Sequence, residues 1–216
     1  MTNAQVIALE YGLLGFVAIW ATVLVPQLLV HHSRFGRVDF RRVTATGALI
    51  LYGCLAVAVV LLPLPGPHTR RLEQTVQLVP FQWITDVGTE LHRHDLAAGF
   101  ENAFRTLAFE QAAMNVLLFV PLGIFARLLW RRGFTGATAI GFAASLAIEI
   151  TQLTANFGTA PFVYRIFDVD DMITNTTGAA LGWTAAALFL ALRRTKVSAV
   201  DTQPLRREGV DFAQTR

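Results

Sequence analysis

Five stretches constrain this chain more than anything else in it: Tyr11–Val30, Val43–Leu62, Ala112–Trp130, Phe134–Leu153 and Met172–Leu192, each near twenty residues long and carrying at most one charged side chain. A helix needs about 20 apolar residues to cross about 30 Å of hydrocarbon. In that medium every backbone polar group must find its partner inside the structure. The expected fold is therefore all-α, a polytopic transmembrane helical bundle with five spans. Composition agrees, with 54% hydrophobic and 15% charged residues, against about 25% charged in soluble domains. Nothing in this pattern predicts a nucleic-acid partner.

The spans divide the chain into a first transmembrane hairpin over 1–62, a long extracytoplasmic loop over 63–111, a three-span core over 112–194 and a disordered cytoplasmic tail over 195–216. The first span reads as a retained anchor rather than a cleaved signal, because its apolar run is too long and Arg34, Arg37, Arg41 and Arg42 follow it directly. Those arginines, Arg127, Arg131, Arg132 and the basic tail fall on one side of the membrane. Only Arg70, Arg71, Arg93, Arg105 and Arg165 fall on the other. The positive-inside bias then predicts N-out and C-in.

Within the long loop, the prolines of Leu62–Pro67 end the second span. Gln77–Ile84, aromatic but too short to cross, is expected to lie at the interface. Phe100, Phe104, Leu107 and Gln111 recur at helical spacing, which predicts an amphipathic surface helix feeding the third span. Residues 85–98 read equally well as an exposed loop.

This topology gathers the unusual polar residues on the outer side. Taken as one helix, Arg165, Asp168, Asp171, Asn175, Gly178 and Gly182 share a face, and Asp170 or Asp171 is placed to cap it. On the fourth span Ser145, Glu149 and Gln152 share a face with Ala137 and Gly141, and Asn115 sits near the mouth of the third. Glu149 lies about 7–8 Å below the outer edge at 1.5 Å per residue. A carboxylate there costs roughly 2.5–3.5 kcal/mol, so a partner or a wet cavity is required. Arg165 is one expected partner. The candidate binding residues are thus Asn115, Ser145, Glu149, Gln152, Arg165, Asp168, Asp170, Asp171 and Asn175. Gly141, Gly178 and Gly182 are the expected packing residues, with the last two facing the fourth span near Gly141 and Ser145.

No metal site is predicted. Cys54 is the single cysteine, the histidines lack HExxH spacing, and His92, His94 and Asp95 read as a solvated loop. No cofactor is expected, except that Asp168, Asp170 and Asp171 would hold a divalent cation if the protein were a hydrolase or transferase acting on phosphorylated envelope lipids, with Glu149 as general base. The leading expectation is instead a pocket for a lipid-linked or amphiphilic head group, in which Arg165 meets an anion. A structural or partner-binding bundle without chemistry is the third reading.

The motifs Asn115-x₅-Pro121-x-Gly123, Ser145-x₃-Glu149-x₂-Gln152 and Arg165-x₂-Asp168-x-Asp170-Asp171-x₃-Asn175-x₂-Gly178-x₃-Gly182, preceded by Leu78-Val-Pro-Phe81, resemble the VanZ-like family of bacterial membrane proteins. The resemblance runs from about Leu78 to Leu192. It implies a polytopic protein of the cell envelope and a link to teicoplanin-type glycopeptide resistance, the property associated with the family's founding member.

Overall fold

The structure, a computed structural model, describes residues 3–201 apart from Pro63, Pro67 and Ala98, without the side chains of 3–5 and 194–201. Most of the tail expected to be disordered lies outside the described residues. Among the described residues, seven helices and two short strands follow in the order α1 (Asn3–Phe35), α2 (Phe40–Leu61), β1 (Val76–Gln77), α3 (Gln82–Arg93), α4 (Phe100–Ala103), α5 (Leu107–Leu128), α6 (Phe134–Leu153), β2 (Phe167–Asp168) and α7 (Val169–Asp201). Among the described residues four helices, α1, α2, α5 and α6, are long and apolar enough to cross a membrane. Helix α7 has the length, but Asn175 and its threonines dilute its apolar character.

Helices α1 and α2 form an antiparallel hairpin. A Cβ on Gly12 would sit 3.0 Å from Leu55 Cδ2, and the Gln27 amide donates to Thr46 Oγ1 at 3.1 Å. Asp39 caps α2 by accepting from the Arg41 and Arg42 amides. Helices α5, α6 and α7 form the core. α5 and α7 run parallel, Val116 against Gly178 and Val120 against Gly182, while α6 runs antiparallel to α7.

The packing corrects one expectation. Gly178 and Gly182 do not face the fourth span, α6. They abut the carbonyls of Val116 and Val120 on α5, and Gly123 of α5 abuts the Ala179 carbonyl and Trp183 amide in return. α6 meets the neighbouring row of α7, where Ala179 fills the space over Gly141 and Asn175 meets Ser145. Three residues at about 100° each turn a side chain to within about 60° of its starting point, so the rows at 175/179 and 178/182 serve two different neighbours. A Cβ at either glycine would strike backbone, which cannot move aside as a flexible side chain can.

The loop expectations change too. The spacing of Phe100, Phe104, Leu107 and Gln111 is interrupted, not one helix: α4 stops at Ala103 and Thr106 starts α5 afresh, accepting from the Phe109 amide at 3.3 Å. Glu90 completes that start by accepting from the Leu107 and Ala108 amides at 2.7 and 3.1 Å. Residues 85–93 are helical rather than loop, being most of α3.

Candidate functional site

The polar residues meet at one pole of the bundle, where α2 and α6 end and α5 and α7 begin. Arg165 and Asp168 are not on the α7 helix, contrary to the single-helix reading. Phe167 donates to the Thr75 carbonyl at 2.9 Å and β2 pairs in parallel with β1, so the chain is extended until Val169. Asp168 then accepts from the Asp170 amide at 2.8 Å, as a residue preceding a helix commonly does. The strand pairing brings Gln77 alongside Asp168 across some ninety residues of chain.

Asp170 caps a helix other than its own. Helix α3 begins behind Phe81, which holds a left-handed φ of 62° and offers no capping side chain. The Asp170 carboxylate supplies the missing acceptors, taking the Phe81 amide on one oxygen and the Trp83 amide on the other, the latter at 3.0 Å. With Asp170 4% exposed, this is a buried charge stabilised by backbone donors at a helix start.

Glu149, 1% exposed, accepts the Asp168 amide at 2.9 Å. Ser145 accepts from the Asn175 amide at 3.0 Å, and Asn115 donates to Asp171 at 2.6 Å. These bonds join α5, α6 and α7 in a continuous polar layer. Asn175 Oδ1 is buried within it without a protein partner. Burial raises the Asp168 carboxyl above the usual range. The Asp170 amide pulls it down, and the charges of Asp170 and Asp86 push it up further.

Arg165 does not pair with Glu149 or an aspartate. Its guanidinium donates to the Val59 and Leu62 carbonyls at 3.3 and 3.2 Å. Tyr164 donates to the Leu61 carbonyl at 2.8 Å, and the Gln152 amide reaches Val60 at 3.4 Å. The last turn of α2 has carbonyls without intrahelical partners, and these three side chains serve them, tying the hairpin to the core. Among the described residues the ion pairs are Asp39–Arg42 and Glu101–Arg105, both local.

Above this layer opens a cleft of about 720 Å³. Its lining includes Gln152, Arg165, Asp168 and Asp171 from the sequence-derived set, together with Gln74, Gln77, Gln82, Asp86, Gln111 and Tyr164. Asp170 lines a smaller recess beside it, of about 70 Å³, with Trp83 and Asp86. Ser145, Glu149 and Asn175 lie buried behind the cleft and support it. Gln74, Gln77, Gln82 and Asp86 were missed because long-range pairing brings their segments to the core, whereas Gln111, four residues before Asn115 on α5, and Tyr164, next to Arg165, had a local signal in their spacing. Among the described residues no group of three or more His, Cys, Asp or Glu side chains is arranged to hold a metal ion. Both oxygens of Asp170 are engaged by the Phe81 and Trp83 amides.

The arrangement can bind a polar group by hydrogen bonding to amides and carboxylates in a site shielded on its inner side. No curated protein and no solved structure matches the chain. The family model for VanZ/LLP1 matches residues 49–190. That interval contains α5, α6, α7 through the core, and every cleft residue named above, so this chain belongs to the VanZ/LLP1 family and is a VanZ-like membrane protein.

Proposed function

We propose that this chain crosses the bacterial cytoplasmic membrane five times, N-terminus outside and C-terminus inside, and offers the cleft outward as a receptor for the head group of an amphiphile. The ligand is a lipid-linked envelope intermediate or a lipid-tailed glycopeptide antibiotic. Helix α7 serves as the fifth span because its polar residues Asn175 and Thr174 are covered by protein rather than lipid.

The observation that carries this reading is the cleft itself, about 720 Å³ of polar-lined space where ligand sites commonly occupy about 300–1,000 Å³. Asp86, Asp168 and Asp171 line it against a single arginine, and that arginine is turned towards α2 carbonyls. Such a lining favours hydroxyl and ammonium groups, as on an amino sugar, over a bare polyphosphate. Glu149 positions Asp168 through its amide and does not touch the ligand.

Expression in a susceptible bacterium tests the reading. The wild-type chain is expected to raise the inhibitory concentration of a teicoplanin-type glycopeptide, and the purified protein to bind a polyprenyl-linked amino sugar. Glu149→Gln should remain in the membrane at normal abundance, since an amide oxygen still accepts the Asp168 N–H, yet lose the effect, because its Nε2 puts a donor where Glu149 has its second oxygen and so disturbs the setting of Asp168. Full effect in Glu149→Gln, or no binding of either amphiphile by the wild type, refutes the reading. Reporter fusions after Arg42 and Arg194 should read cytoplasmic and one after Glu90 external. A cytoplasmic Glu90 reporter would turn the cleft inward and end the outward-receptor proposal.

A further inference from the structure

The turn between α1 and α2 holds a second polar site, outside the interval matched by the family model. A cavity of about 390 Å³ opens there, lined by His31, Phe35, Arg37, Asp39, Arg41 and Arg42 among others. Three arginines face one carboxylate. That carboxylate is already engaged, accepting from the Arg41 and Arg42 amides and pairing with Arg42 Nε at 3.3 Å. Arg37 and Arg41 make no ion pair among the described residues. The cavity therefore carries uncompensated positive charge.

His31 gives the site depth. It is 9% exposed, and its Nδ1 is buried without a partner. The same ring borders a second groove of about 420 Å³ that descends along α1 past Val30, Gln27, Pro26 and Thr22. Its walls are mostly apolar, as the flank of a membrane helix ordinarily is, with a few polar atoms set into them. Pro26 has no N–H, so the Thr22 carbonyl lacks its usual helical partner. Gln27 spends its amide nitrogen on Thr46, and its Oε1 is buried without a partner. Buried polar atoms left without partners carry a cost, and two of them, His31 Nδ1 and Gln27 Oε1, in line with a cationic cavity mark a place for a ligand.

We propose that this turn binds the phosphate of an anionic lipid head group. The phosphate lies among Arg37, Arg41, Arg42 and His31, and the start of an acyl chain lies along the mostly apolar groove from His31 past Gln27 to Thr22. Arginine suits the phosphate because its planar fork offers two parallel donors. The position suits a lipid because the arginines follow directly on an apolar span, at the depth of the head-group layer. The site is independent of the cleft at the other pole.

Native mass spectrometry of the full-length, delipidated protein in detergent tests this. The wild type is expected to retain phosphatidylglycerol over phosphatidylcholine by about thirtyfold, the scale that a pair of arginines supplies near a membrane surface. R37Q/R41Q, which leaves the Asp39 cap intact, should bring the ratio close to one, and R34Q, outside the cavity lining, should leave it unchanged. Equal retention of the two lipids by the wild type overturns the site, as does an unaltered ratio in folded R37Q/R41Q. R37Q alone carries the test if the double variant does not purify. Inorganic phosphate separates the two sources of the same chemistry: stabilisation against heat equal to that from phosphatidylglycerol overturns the lipid assignment, and no stabilisation supports it.

Discussion

The hairpin α1–α2 and the core α5–α6–α7 are both made of apolar helices, yet they are held together in opposite ways. α1 buries only Ala8, Gly12 and His31 among its described residues, and its close approaches to α2 place side chains over glycines, Trp20 over Gly47 and Leu55 over Gly12. In the core the closest approaches are backbone to backbone: Gly178 and Gly182 on Val116 and Val120, Gly123 on Ala179. The core also buries Ser145, Glu149, Gln152, Asp170 and Asn175, where the hairpin's described residues bury His31 alone as a polar side chain. Lipid tails provide no hydrophobic drive for helices to associate, so specificity must come from close contact and from polar partners. The core has both and the hairpin little of either. The site residues accordingly lie where backbone contact holds the helices in one register.

The sharpest way to break this contrast is to add volume at the two glycine contacts. Gly182→Leu should cost on the order of 4 kcal/mol or more, because its side chain meets the Val120 carbonyl and only helix separation relieves it. Gly12→Ala in the hairpin should cost about 1 kcal/mol, since Leu55 can rotate. Monodisperse yield and thermal unfolding in detergent measure both. Equal losses in the two variants would abolish the distinction.

Removing the Asp170 carboxylate should have the next largest effect. Asp170→Ala leaves the Phe81 and Trp83 amides without acceptors and should cost about 3 kcal/mol. Limited proteolysis should then cut within residues 77–93 first. If cleavage there matches the wild type, the carboxylate is not what holds α3 to the core.

Arg165→Lys should act more mildly, at about 1 kcal/mol, because a lysine cannot reproduce the fork that holds both the Val59 and Leu62 carbonyls. Cysteine cross-linking between α2 and α6 near Val60 and Gln152 should fall in this variant while α5–α7 cross-linking does not. A uniform fall would show that Arg165 supports the whole bundle rather than the joint. Smallest of all, Leu14→Ala on the exposed face of α1 should change stability by less than about 0.5 kcal/mol. A larger loss would reveal a covered surface there.

Much of this protein is readable in one dimension, and the reason is periodicity. Apolar runs of spanning length declare α1, α2, α5 and α6, with α6 bounded at Phe134 and Leu153 as the run itself is. The stripe Ala137, Gly141, Ser145, Glu149 and Gln152 is buried along its whole length because residues four and three apart share a helix face. Motif order is equally local, and it placed the chain among VanZ-like proteins, as the match over 49–190 does. What periodicity cannot carry is which neighbour a face meets. Gly178 and Gly182 form a packing row in any reading, but only the three-dimensional arrangement turns that row to α5 rather than α6. Charged residues are ambiguous for the same reason. Arg165 had carboxylates within reach in sequence, yet the carbonyls at the end of α2 claim it, since a helix end offers acceptors with no intrahelical donor. Asp170 likewise looks like a cap for its own helix and instead caps α3, 87 residues away. Sequence by itself determined the long apolar helices, the buried stripe of α6 and the family. Tertiary structure alone decided the partners of the polar groups, because a hydrogen bond depends on distances of about 3 Å between atoms that the chain brings together only when folded.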